Sequence, residues 1–322
     1  MSTRDHGGDL ARAINTYGGT ANDWIDLSTG INRRAYPVPM LSDAAWRSLP
    51  DKDATANLLQ AARTAYRTTW PMTQMAGAQA AIQLLPRLAT PGEARILSPT
   101  YNEFQAALND ANWTVTRVTS ETDLPGADVA IVVNPNNPTG HHIHPEALHK
   151  LAQKVGILIV DESFGDATPD LSLLPGTMPE NVVVLRSFGK FFGLAGARLG
   201  FVAGPQNMID QIQSGAGPWP ASGPAIEIGT KALNDLNWQD NMRTQLAEDA
   251  SRMDSIAIKA AWIPVGGTHL FRTYDTGAAA ACQEMLANSR IWSRIFPYSN
   301  SWMRLGFPGS EEEWERFEDA AY

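Results

Sequence analysis

The chain has 322 residues, 43% of them apolar, and its 25 basic residues against 34 acidic ones leave a formal net charge of −9. Such a length can bury one large core and a smaller one, and the acidic balance argues against nucleic acid or an anionic membrane as partner. A lone cysteine, Cys282, excludes a disulfide framework within the chain and fits a reducing cytoplasm. No apolar run approaches the roughly 18–20 residues of a membrane span, and Met1–Asp5 leads into no apolar signal core.

Residues 1–40 read as an irregular arm. From 41 to 235 helical and strand patterns alternate, as in a large α/β domain; residues 236–322, with the arm, read as a smaller α+β domain. Leu84, Leu85 and Leu88 mark a helix after the Gly77 loop, and Ala94–Leu97 marks a strand. Trp113–Val118 alternates as a strand does, and Val129–Val133 is a continuous apolar run, the pattern of a buried parallel strand. That run empties into Asn134-Pro135-Asn136-Asn137-Pro138-Thr139-Gly140, an ordered turn by composition. His144-Pro145 opens a helical pattern through Leu148 and Leu151, and Gly156–Val160 is a second apolar strand, ending at Asp161. Val182–Leu185 leads into Ser187-Phe188-Gly189-Lys190. A long helical stretch starts at Pro224. Leu270–Tyr274 and Trp302–Leu305 read as strands, Ala278–Leu286 as a helix, and Ser310-Glu311-Glu312-Glu313 as the capping box of a final helix.

Lys190 stands among Phe188, Phe191, Phe192 and Leu194. Poor solvation there favours the neutral amine, which can attack a carbonyl. Arg198, eight residues on, is a fixed cation suited to a phosphate. Together they point to an aldehyde cofactor carrying a phosphate, pyridoxal phosphate; the alternative is a snorkelling surface lysine beside a structural arginine. Asn137, Asp161 and Lys190 all fall just past the carboxyl ends of predicted strands, the edge at which open α/β sheets bind ligands, and this favours the cofactor. The histidines His141, His142, His144 and His149 lack a Cys or acidic ligand at close spacing, and no metal is expected. Gly189-Lys190 lacks the other parts of a Walker loop, and no Gly-x-Ser-x-Gly is present.

The Asn-Pro-Thr-Gly turn, the Asp after a strand and the Ser-x-x-Lys with Arg eight later resemble the fold-type-I pyridoxal-phosphate enzymes, within the aspartate-aminotransferase superfamily and near the histidinol-phosphate aminotransferases. The resemblance implies a three-layer large domain around a mostly parallel sheet. It implies that Lys190 binds the cofactor aldehyde, Asp161 pairs with the ring nitrogen, Asn137 bonds the ring hydroxyl and Tyr101 stacks on the ring; Lys190, Asp161 and Tyr101 would be the catalytic residues. Ser187, Arg198 and the backbone of Gly77, Ala78 and Gln79 would hold the phosphate.

Within that superfamily, His6-Gly7-Gly8-Asp9-Leu10, Tyr17-Gly18-Gly19, Trp24–Asn32, Gly217–Pro220, Ser222–Ala225 and Arg304–Gly309 resemble the threonine-phosphate decarboxylases of cobalamin biosynthesis. By that resemblance His6, Gly7, Asn32, Asn137, Arg294 and Arg304 would receive a phosphorylated amino acid, and a homodimer is expected. Phe164 stands where aminotransferases usually carry a Tyr, which favours decarboxylation over transamination. Leu49 stands where relatives often place a Tyr that reaches the neighbouring subunit's cofactor phosphate, so that bond is not expected. A histidinol-phosphate-type aminotransferase and a non-catalytic pyridoxal-phosphate protein are the alternatives.

Overall fold

The computed structural model describes residues 6–322; Met1–Asp5, read above for a signal, lies outside it. Contacts divide the chain into two compact units, one of residues 36–137 and 141–240, the other of residues up to 35, 138–140 and 241–322.

The larger unit is built on a seven-stranded sheet in the order Met72–Met75, Gly200–Ala203, Val182–Ser187, Ile157–Asp161, Val129–Val133, Glu93–Leu97, Thr114–Val118. All neighbours are parallel except Gly200–Ala203, which runs against both of its partners. The apolar runs explain the middle strands: every residue of Val129–Val133 is buried, so both faces of the sheet are covered. On one face Ile96, Ile131, Val133, Ile159, Val183, Leu185 and Val202 pack with Ile82, Phe104, Leu108, Ile209 and Ile212 from the helices Ala78–Leu84, Glu103–Asp110 and Gln206–Ala216. Each such side chain contributes roughly 1.5–3 kcal/mol by leaving water. Alternate residues, among them Ala130, Val132, Leu158, Val160 and Val184, are buried toward the other face.

In the smaller unit four antiparallel strands lie in the order Arg294–Phe296, Ser299–Leu305, Phe271–Asp275, Ile263–Thr268. Residues 138–140 group with this unit because Thr273 Oγ1 donates to the Pro138 carbonyl at 2.6 Å, and because Gly140, at φ +69°, lies so near Gly267 that a Cβ would stand 2.1 Å from its carbonyl oxygen.

The reading of residues 1–40 as an irregular arm needs correction. Leu10–Tyr17 is a helix, capped by Asp9, whose carboxylate accepts from Arg12 N at 3.1 Å. Ile25–Asp26 pairs in parallel with Ile291–Trp292. Tyr17, Trp24 and Trp292 lie within 6.2–6.3 Å of one another, over Ala13 and Ala287. Distant partners, invisible to local periodicity, order this segment. The final helix, Glu311–Ala321, starts on Ser310, which accepts from Glu313 N at 3.3 Å; the Glu313 carboxylate takes Gly309 N at 2.6 Å and Arg33.

Within the larger unit, Glu227 joins the helix Gly223–Asn234 to the start of the helix Asp43–Arg47 by accepting Ser42 Oγ at 2.7 Å and Ser42 N at 3.1 Å, besides Lys231 at 2.8 Å. The Lys231 and Ser42 bonds hold its carboxyl down at about 2, below the ordinary 4.5. A lowered carboxylate stabilises the fold above its unfolded value and loses that contribution as pH falls through the folded one. Glu227→Gln should therefore lower the melting temperature at neutral pH by about 1–3 °C, and the gap to wild type should narrow as melting is repeated from about pH 4.5 downward.

Candidate active site

The carboxyl edge of the large sheet collects the predicted cofactor residues, and the bonds among its loops show why. Asn134 locks the turn after Val129–Val133: its side chain donates to the Ile143 carbonyl at 3.1 Å and accepts from Ile143 N at 2.8 Å, while its backbone N–H donates to the Asp161 carbonyl at 2.8 Å. Asn136 ties the same turn to the loop before Tyr101, donating to the Pro99 carbonyl at 2.9 Å and accepting from Thr100 Oγ1 at 2.6 Å. Asn134 and Asn136 thus serve the loop, and Asn137, half-buried, sits at its end.

Asp161 is the last residue of its strand and is 3% exposed. One carboxylate oxygen accepts both Ser163 N at 2.9 Å and Ser163 Oγ at 2.5 Å. Burial pushes its carboxyl up; the Ser163 hydroxyl and N–H, then Lys190 and Arg186, oppose that shift. A carboxyl balanced in this way suits a basic ring nitrogen, since a proton shared by the two is held in a dry site.

Lys190 stands in the short helix Phe188–Phe191, which leaves the strand Val182–Ser187 directly. Its Nζ lies 5.5 Å from the centre of the Phe164 ring, so Phe164 presents an apolar face to the amine. The phenylalanines of its own segment turn inward: Phe188 stacks on Phe192 at 4.5 Å, Phe191 meets Phe192 edge-on at 5.2 Å, and Trp238 stacks on Phe192 at 5.6 Å. They anchor the turn that carries the lysine.

Gly77 precedes the helix Ala78–Leu84 at φ +77°, and a Cβ there would stand 2.6 Å from an Arg198 guanidinium nitrogen. The positive φ is what favours glycine there. Gly200 is also constrained, since its Cβ would meet Ala78 N at 2.5 Å. Arg198 is exposed, takes a left-handed backbone, and spends one nitrogen on the Ala195 carbonyl at 3.0 Å. Ser187 is half-buried at its strand end. The Gln79 side chain has another task. It donates to buried Glu103 at 2.8 Å and accepts the Tyr101 hydroxyl at 3.2 Å, which leaves its backbone N–H for an anion. Burial, then the Glu103 and Asp161 charges, raise the Tyr101 phenol to about 12.

Of the predicted substrate residues, Asn137 belongs to the larger unit and the others lie in the smaller one. Arg294 and Arg304 stand directly opposite each other on antiparallel strands, a destabilising arrangement for like charges. Arg304 is buried, with its guanidinium 5.2 Å over the Phe271 ring and donating to the Ser28 carbonyl at 2.5 Å. Burial and then Arg294 bring its pKa down to about 10. Ser28 links this arginine to the amino-terminal glycines: Gly8 N donates to Ser28 Oγ at 2.7 Å, and a Cβ on Gly7 would meet the Ser28 carbonyl oxygen at 2.4 Å and Arg304 at 3.4 Å. Asn32 is buried and accepts from Arg34 N at 2.9 Å, and His6 is exposed. A buried guanidinium opposite a half-buried one, beside exposed backbone, suits an anion.

Sequence reasoning missed Asn134, Asn136, Ser163, Glu103 and Gly200. Asn134 and Asn136 were legible only as members of an ordered turn, and Gly200 only as a glycine opening an apolar strand run. The histidines make other contacts: His141 pairs with Glu121 at 2.7 Å, and the His142 and His144 rings meet edge-on at 5.4 Å.

Comparison with known proteins agrees with this geometry. The pattern of the family described as Aminotransferase class I and II matches residues 52–320. A threonine-phosphate decarboxylase of Pseudomonas aeruginosa is 38% identical over 323 residues, 98% of this chain and 96% of that protein. One from Sinorhizobium sp is 39% identical over the same shares. The crystal structure of histidinol-phosphate aminotransferase from Sinorhizobium meliloti in complex with pyridoxal-5'-phosphate shares the fold, with a TM-score of 0.75 at 18% identity over 99% of this chain and 94% of that one. With its seven-stranded sheet, the loops at its edge and a near-full-length match to two decarboxylases, the chain belongs to the aminotransferase class I and II family.

Proposed function

We propose that the chain is a pyridoxal-phosphate-dependent decarboxylase that converts L-threonine O-3-phosphate to (R)-1-aminopropan-2-yl phosphate and carbon dioxide. The observation that carries the substrate class is the opposed pair Arg294 and Arg304, two cations set side by side in a way that suits an anionic partner. The near-full-length likeness to two threonine-phosphate decarboxylases supports the reaction.

The donor set fits the cofactor: a glycine that a Cβ would drive into Arg198, a buried carboxyl, an Asn at a strand-end turn, an aromatic held by its hydroxyl, and a lysine beside an apolar ring. Bound there, pyridoxal phosphate supplies an electron sink for the pair released when a bond at the amino acid's Cα breaks. Arg198, Ser187 and the N–H groups of Gly77, Ala78 and Gln79 would hold the phosphate, and Asn137 would bond the ring hydroxyl. Asp161 keeps a proton at the ring nitrogen, and Tyr101 covers the ring face. The Lys190 amine would hold the cofactor through its aldehyde and would be placed to deliver a proton to the substrate Cα. Arg294, Arg304, His6, Gly7 and Asn32 grip the phosphate and carboxylate of the substrate, so that the Cα–carboxylate bond is the one set to break. Phe164 offers no hydroxyl toward the ring oxygen.

The reading extends to assembly and compartment. Val38, Met40, Trp46, Leu49 and Trp219 are large apolar side chains left exposed on the larger unit, and apolar surface of this kind suits a second copy of the chain. Half-buried Cys282, the lone cysteine, suits a reducing cytoplasm, and among the described residues no helix is long and apolar enough to cross a membrane.

Lys190→Ala should abolish the visible absorbance of the bound cofactor and cut carbon dioxide release from O-phospho-L-threonine by about a thousandfold or more; undiminished release would refute the assignment. Phe164→Tyr should leave cofactor binding intact and make glutamate a measurable product with 2-oxoglutarate, while decarboxylation falls by about tenfold or less; an unchanged product ratio would remove Phe164 from the account. Trp46→Glu should convert a dimer to monomer in sedimentation velocity, since a charge at an apolar contact costs about 2 kcal/mol or more; a wild-type monomer would end the dimer proposal.

A further inference from the structure

Directly behind the cofactor edge lies a second set of charges that the reaction as described does not use. Arg186, Glu162 and Asp166 have side chains 3%, 0% and 3% exposed. The Arg186 guanidinium reaches Glu162 at 2.9 Å and Asp166 at 3.0 Å, and lies 4.3 Å over the Tyr66 ring. Glu162 also accepts Ser172 Oγ at 2.5 Å and Leu173 N at 2.8 Å. Gly165 makes room for this arrangement, since a Cβ there would stand 2.8 Å from Arg186.

Two of its members are next to a proposed site residue. Glu162 follows Asp161, and Arg186 precedes Ser187, four residues before Lys190. Between the two carboxylates of the cluster lie Ser163, which bonds Asp161, and Phe164, whose ring faces Lys190. Three dry charges are a poor way to gain stability, because desolvation consumes what the pairing returns and an apolar replacement often does as well. A forked cation gripping two carboxylates does fix direction.

Resting on the cofactor assignment above, we propose that Arg186 is a positioning residue for the reaction: clamped by Glu162 and Asp166, it holds the Asp161–Phe164 segment in place against the turn that carries Lys190. The titratable and charged groups that face it are Glu162, Asp166 and Tyr66, with Asp161 and Lys190 beyond them on the site side. Its charge also acts on Asp161, opposing the upward push of burial on that carboxyl. Through Asp161 the cluster sets how firmly a proton stays at the cofactor ring, and through Phe164 it sets the apolar face presented to the lysine.

The test uses the holoprotein and two variants, Glu162→Gln, which keeps shape and removes a charge, and Arg186→Lys, which keeps charge and removes the fork. Both should melt near wild type as apoprotein and bind pyridoxal phosphate. In both, kcat for O-phospho-L-threonine should fall by about tenfold or more, with KM within about twofold. In Glu162→Gln, loss of a neighbouring negative charge should move the pH midpoint of the cofactor's visible absorbance, read without substrate, downward by about half a unit or more. Lower melting temperatures with an unmoved midpoint and unchanged kcat would overturn the proposal and leave a structural ion cluster, and so would failure of both variants to fold. A wild-type protein with no visible absorbance on adding pyridoxal phosphate would instead refute the cofactor assignment, a separate result.

Discussion

A carboxyl group that must remain useful in a dry place governs this structure. Asp161 ends a strand with nearly all its surface removed from water, and a carboxylate so placed is strongly disfavoured unless its oxygens are bonded and a cation is near. The chain meets that demand locally. Ser163 turns back to give two hydrogen bonds, Asn134 ties the neighbouring turn to the Asp161 backbone, and Lys190 and Arg186 supply positive charge from the next strand. The parallel sheet makes this possible, because it delivers three strand ends with their loops to one edge.

The smaller unit poses the opposite problem. Arg294 and Arg304 face each other across a strand pair, and burial of Arg304 sharpens their repulsion. The arrangement fits the anionic substrate proposed above. Ser28 and the glycines around Gly7 complete it with backbone groups close to the buried guanidinium. Gly7 is therefore more than a feature of a flexible arm: any larger residue would press on the Ser28 carbonyl.

Much of this was legible in the sequence where local pattern and chemistry coincide. Val129–Val133 and Ile157–Asp161 announce buried parallel strands by unbroken apolar runs, and the Asn-rich turn, Asp161 and Lys190 follow those runs directly. The helix Leu10–Tyr17 was missed because it is short and its anchoring rings, Trp24 and Trp292, lie far apart in the chain. The phenylalanines beside Lys190 were read as its surroundings, yet they pack inward, and the amine also meets the ring of Phe164 on another strand-end loop. Glu162, Asp166 and Arg186 were not singled out at all, since charged residues give no local sign of burial. Gly140 was read with the cofactor turn, and its constraint is the Gly267 backbone. What escaped in each case was a contact made by partners distant in sequence.

The measurement that bears most directly on the account is mass analysis of the products formed from O-phospho-L-threonine in deuterium oxide, with pyridoxal phosphate and 2-oxoglutarate both present. The account expects aminopropanol phosphate carrying one solvent-derived deuterium on the carbon that lost the carboxylate, with 2-oxoglutarate untouched. Glutamate, together with a keto acid that retains the carboxylate, would contradict it and make the chain an aminotransferase.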